Sequence, residues 1–142
     1  PENRLVDNVV KRVTMWKDVA PFYPDQTRGI PKSSESRGTE SVLNALVVSG
    51  RDAEHGHLSD EGRTAFANMW ALQMKVGPNA GGWTWLNFNY EPWESPNSPY
   101  LGASHAALAV GAAPARYAES PEIQDNLSAL RKYFQKQFAN EE

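Results

Sequence analysis

The chain has 142 residues, 17 acidic against 14 basic, for a formal charge of −3. That length fits one domain with a real core, and 40% apolar with 22% charged residues excludes a disordered chain. The longest purely apolar stretches, such as Ala106 to Val110, are far short of the roughly 20 residues of a membrane span.

Mild acidity offers no electrostatic footprint for nucleic acid or an anionic membrane. The absence of cysteine removes disulfides, thiolate zinc sites and cysteine nucleophiles, and it leaves the redox compartment and localisation open. The sequence opens at Pro1, with neither an initiator methionine nor an apolar signal region. The expectation is a processed chain or a piece of a longer one.

Five helices are predicted. In the first, from about 3 to 19, Leu5, Val6, Val9, Val10, Val13 and Trp16 form one stripe opposite Arg4, Asp7, Lys11 and Lys17. Pro21 and Pro24 stop it, and a loop runs to about residue 35. The second, 36–49, is apolar nearly all round at Val42 to Val48, which predicts burial on most sides, and Gly50 is its expected stop. The third opens at Ser59 as N-cap, with Asp60 and Glu61 complementing the helix dipole, and ends at Gly77-Pro78. The fourth opens at Ser98-Pro99 and is small and apolar on nearly every face. Gly102 is expected there to allow close contact between the second and fourth helices. The fifth opens at Ser120-Pro121, with Ile123, Leu127, Leu130, Phe134 and Phe138 as its stripe.

Amphipathic and all-apolar helices therefore alternate. A bundle of equivalent helices makes every helix amphipathic, whereas alternation points to inner helices sheathed by outer ones, as in helical solenoids and α/α barrels. The all-apolar helices centre near Ala45 and Ala106, so the pattern of burial recurs about every 55–60 residues without a strict motif.

Residues 77–97 form a 21-residue connection, longer than compact domains ordinarily carry without a function. It holds Trp83, Trp85, Phe88, Tyr90 and Trp93, with Asn87, Asn89, Glu91, Glu94 and Ser95 threaded among them. A period of two across 83–90 suits a short extended strand, with Trp83, Trp85, Asn87 and Asn89 on one side. Two readings stand. In the first, the loop walls a cleft in which Trp83, Trp85, Asn87, Tyr90 and Trp93 bind ligand and Glu91 and Glu94 serve as a carboxylate pair. In the second, it is an ordered plug whose tryptophans are core.

Other candidates are weaker. His55 and His57 need a third ligand from Asp52, Glu54 or Asp60 to make a metal site, and no metal is expected. His105 reads as a core histidine, and Asn126-Leu127-Ser128 as a glycosylation match misplaced on a helix. Phosphate loops, nucleophile elbows and dinucleotide fingerprints are absent, so no cofactor is implied.

The run Gln73-Met74-Lys75-Val76-Gly77 followed by Gly81-Gly82-Trp83 resembles the glutamine–tryptophan repeat of squalene–hopene cyclases, with Pro78 to Gly82 intervening. Pro92-Trp93-Glu94-Ser95, Tyr100-Leu101-Gly102-Ala103 and Ala106-Ala107-Leu108-Ala109 are similar to inner-helix starts of the same cyclases and of prenyltransferase-type repeat proteins. The likeness spans about 36–118. It implies an all-α, partial α/α toroid of inner and outer helices with a long aromatic loop. The cyclases' catalytic Asp-x-Asp-Asp element has no counterpart here. A full toroid needs about a dozen helices, so the chain is expected to be one segment or one protomer of something larger.

The expected function is a terpenoid-cyclase-like module, incomplete as a catalyst, that binds an apolar or ring-shaped ligand or a partner. The alternatives are a carbohydrate-active or carbohydrate-binding module with tryptophan platforms and a glutamate acid, or a purely structural repeat domain. Two all-apolar helices with only three amphipathic ones to cover them predict a dimer or docking to further helices.

Overall fold

The computed structural model describes residues 2–19, 32–87, 90, 94 and 97–139. Its helices are α1 (Glu2–Thr14), α2 (Lys32–His55), α3 (Asp60–Ala71), α4 (Ser98–Ala112) and α5 (Gln124–Ala139), with short 3-10 turns at Tyr117–Glu119 and Pro121–Ile123. The class is all-α, and among the described residues there is no strand. No helix described is long and apolar enough to cross a membrane.

Helix α2 is the hub, packing against α1, α3 and α4. Its buried side carries Val42, Ala45 and Val48, with Ser41 and Ser49 turning their hydroxyls back onto the helix carbonyls of Gly38 and Leu46. Helix α1 runs antiparallel to it. At one end Arg12 donates to Glu40 (2.8 Å), and Arg37 donates to the Trp16 carbonyl while its guanidinium lies 3.2 Å from the centre of the Trp16 ring. Helix α4 starts beside the start of α2, and α5 returns along α4, its Phe134 ring edge-on to Tyr100.

The second helix is ten residues longer than expected: it begins at Lys32 and runs through Gly50 to His55. A mid-helix glycine costs roughly 1 kcal/mol relative to alanine. Here the turn beyond it is held by tertiary bonds. Asp52, buried on α2, accepts from the Ser59 amide and hydroxyl (both 2.8 Å) and from Arg51. The Ser59 hydroxyl in turn caps α3 by accepting from the Gly62 amide. The Asp52 carboxylate lies so close to Gly62 that a Cβ there would collide with it.

Other boundaries differ locally. The first helix ends at Thr14 and continues as turns to Val19. Helix α3 stops at Ala71, six residues before Gly77, and Gln73 beyond it turns inward. Asn97, not Ser98, takes the N-cap position of α4, and Ser98 is buried as its first residue. Ser120-Pro121 opens a 3-10 turn ahead of α5. In the α5 stripe Ile123, Leu127 and Leu130 are core, whereas Phe138 is 70% exposed and Tyr133, outside the stripe, is buried.

Burial alone would raise the Asp52 pKa, but the Ser59 amide, the Arg51 guanidinium and the Ser59 hydroxyl outweigh it and hold the carboxyl below its ordinary 3.8. A lowered folded-state pKa contributes stability that is present above the ordinary value and is lost as pH falls through the lowered one. Asp52→Asn is therefore expected to cost about 1–3 kcal/mol at neutral pH. In urea titrations the gap to the parent should close progressively once the pH drops below 3.8.

Candidate functional site

After α3 the chain makes a closed turn and then passes between three helices. Gln73, buried, ties the turn down. Its side-chain nitrogen donates to the backbone carbonyls of Gly81 (2.9 Å) and Asn126 (3.0 Å), and its side-chain oxygen accepts from Nδ2 of Asn126 (2.7 Å). Backbone bonds from Met74 to Gly82 and from Gly81 to Met74 close the loop. Gly81 has φ +93° and lies against the Ala129 backbone of α5, so neither its conformation nor its surroundings admit a side chain. The glycosylation match thus begins at a residue whose side chain is engaged in this clamp.

Trp83 follows and is wholly buried. Its indole N–H donates to the Met69 carbonyl (2.7 Å), and its ring lies 5.6 Å from that of Trp70. Trp70 donates in turn to the Tyr117 hydroxyl (3.0 Å). Burial, the larger influence, raises the Tyr117 pKa against that hydrogen bond. Thr84 presses on Gly38 of α2, and the Leu86 amide donates to the Thr39 hydroxyl (2.9 Å). Residues 83–87 have no regular structure, so the expected strand does not form over them.

Trp85 is half-buried and has a different setting. A Cβ on Gly102 would fall 2.5 Å from the six-membered ring of its indole. Gly102 therefore makes room for Trp85, and the expected role of bringing the second and fourth helices together passes to that contact. His105, one turn further on, stacks on the same indole with centroids 5.9 Å apart and planes 21° apart. Its Nδ1 is 2.8 Å from the Leu101 carbonyl, so it packs at the edge of the core and not within it.

A half-open groove of about 210 Å³ lies beside Trp85. Glu35 from α2, Met74 and Asn79 from the closed turn, Asn87, and Pro99 from α4 line it together with Thr84 and Trp85. Of the residues expected to bind ligand, the structure brings Trp85 and Asn87 to this groove. Trp83 is enclosed in the core, where no ring face reaches solvent. Tyr90 is exposed and Glu94 half-buried, and neither lines the groove. Trp93 and Glu91 lie outside the described residues, as do Phe88 and Asn89. Glu35 and Asn79 were not expected. Nothing local connects Glu35 with residue 85, and only the shared starting end of α2 and α4 brings them together.

His55 and His57 are exposed, each with Nδ1 at a backbone carbonyl, those of Arg51 and His55. Asp52 is committed to Ser59. Among the described residues no group of three or more possible ligands is placed to hold a metal ion. A larger groove of about 640 Å³ runs between α1 and α2, with Leu5, Val6, Leu46 and Val47 along it and Arg51 and Glu54 at one end. Comparison with protein-family models, with curated proteins and with solved structures found no match.

Gly102→Ala should displace the Trp85 ring, with a loss of about 1–3 kcal/mol in stability. Thermal unfolding measures the loss, and a changed tryptophan emission spectrum reports the displacement. An unchanged melting temperature and spectrum would show that the indole yields without cost.

Proposed function

We propose that this chain is a helical-repeat module of the terpenoid-cyclase α/α-toroid type, incomplete as a catalyst, that works by packing against further apolar helices. The observation that carries this is the composition of α4. None of its 15 residues is Asp, Glu, Lys or Arg, yet Tyr100, Leu101 and Leu108 are 48%, 44% and 61% exposed. Scattered exposed leucines are ordinary, whereas a charge-free helical face open to water marks an interaction surface. The engagement of Gln73 and Trp83 in joining α3 to its neighbours supports the reading further, because joining successive helices is what the glutamine–tryptophan resemblance implies.

Sedimentation velocity over a wide concentration range tests it. The protein is expected to self-associate and to bind an apolar dye. Leu101→Lys with Leu108→Lys should abolish both while the far-ultraviolet circular dichroism stays helical. A monomer at high concentration that binds no dye would sink the proposal.

A second reading is favoured by the groove at Trp85: the module also holds a small ring-shaped ligand there. In that reading Trp85 and Asn87 are the binding residues. Trp83 holds the segment in place from behind. Glu91 and Glu94 are the carboxylates that a catalytic, glycan-active version would use, with Tyr90 and Trp93 nearby in sequence.

A further inference from the structure

We infer that the Trp85 groove takes one neutral polyhydroxylated ring, of the size and chemistry of a single monosaccharide unit, laid against the indole and hydrogen-bonded by Asn79, Asn87 and Glu35. This inference rests on the ligand-binding reading above and names the ligand.

Size decides first. Sites for drug-sized ligands run from about 300 to 1,000 Å³. A groove of about 210 Å³ is too small for a folded polyprenoid chain but suits one six-membered ring.

The lining decides next. Trp85, Met74 and Pro99 give an apolar floor, while Glu35, Asn79, Thr84 and Asn87 carry polar heads. A sugar ring has the matching division, with C–H groups on its faces and hydroxyls around its edge. Each hydroxyl both donates and accepts, and an asparagine amide does the same from one side chain, so two asparagines suit a ring edge better than a single-signed ion. Among the described residues no lysine or arginine lines the groove, and the charged one that does, Glu35, is a carboxylate, which disfavours phosphorylated or carboxylated ligands.

The site is also preorganised. His105 stacks on the Trp85 ring, Gly102 receives its edge, and Thr39 holds the next residue's amide. Little conformational freedom is left for a ligand to remove.

The test is a nuclear magnetic resonance titration of the tryptophan indole N–H signals in the full chain, with Trp85→Phe assigning the Trp85 peak. The probes are the methyl glycosides of glucose, galactose, mannose and N-acetylglucosamine, with tetramethylammonium and inorganic phosphate as the cationic and anionic arms. At least one glycoside is expected to shift the Trp85 signal saturably, with a dissociation constant of about 1 mM, ordinary for so small a ligand. Asn87→Ala and Asn79→Ala should each weaken it about tenfold, the loss of one good hydrogen bond. If Asn87→Ala loses its circular dichroism, Asn79→Ala, on a separate segment, carries the comparison. Glu35→Gln should weaken glycoside binding a few-fold, because a neutral amide oxygen accepts from a hydroxyl less strongly than a carboxylate does. A saturable shift with tetramethylammonium alone, lost in Glu35→Gln, would overturn the sugar assignment while keeping the groove as a site. Silence of the Trp85 signal to every probe would overturn both.

Discussion

The passage of residues 81–86 between three helices is the constraint on which the rest of the molecule depends. The segment has no ladder of its own, and it is accommodated because glycines stand at its close contacts. Gly81 meets the Ala129 backbone of α5, Gly38 of α2 meets Thr84, and Gly102 of α4 meets Trp85. At each of these points a Cβ would overlap backbone or a bulky ring, so the spacing of α2, α4 and α5 is set by how near each can come to one irregular strip of chain. A core of this density has no room to absorb an added methyl by small adjustments.

The same strip separates two tryptophans that lie two residues apart. Trp83 is sealed by Met69 and Trp70, its only polar atom satisfied at a helix carbonyl, as a buried indole requires. Trp85 rests on the opposite neighbour, α4, with only part of its surface covered. A plug and a ligand wall are therefore compatible roles within one aromatic loop, because in irregular chain each residue takes the environment of the helix it meets and not that of a shared face.

Helix positions were legible in the sequence because their signals are local. Ser59 caps α3 as its position suggested, and at the apolar centre of α2 Val42, Ala45 and Val48 are buried, whereas Leu43 is exposed and Leu46 and Val47 are half-buried, so the burial expected on most sides is met on one. Two of the misplaced boundaries answer to bonds made outside the helix concerned. Gly50 is a stop signal overridden by the Asp52–Ser59 contacts beyond it, and the early end of α3 follows from Gln73 reaching Asn126, 53 residues away. The candidate site divides in the same way. Trp85 and Asn87 stood out by their company in the loop. Glu35 has no such company, and the alternation that grouped Trp83 with Trp85 presumed a strand that residues 83–87 do not form.

The composition of α4 is explained on one side by the core of the described residues. Ala103, Ala106, Ala109 and Val110 are small because they are buried in the core. That accounts for one side of the helix. Fold stability places no comparable demand on the other side, since lysine, glutamate and leucine have nearly the same helix propensity and an isolated surface charge costs almost nothing. The other helices use that freedom. Arg4, Lys11, Glu61, Arg63, Arg131 and Lys132 sit on α1, α3 and α5. Helix α4 does not use it. Its exposed Leu101 and Leu108 are seven residues apart, two turns along one stripe, and Tyr100 beside them leads through Phe134 to the exposed Phe138 of α5. An apolar stripe that crosses from one helix to the next, on a helix with no Asp, Glu, Lys or Arg, is the surface that the proposed packing against further apolar helices would cover.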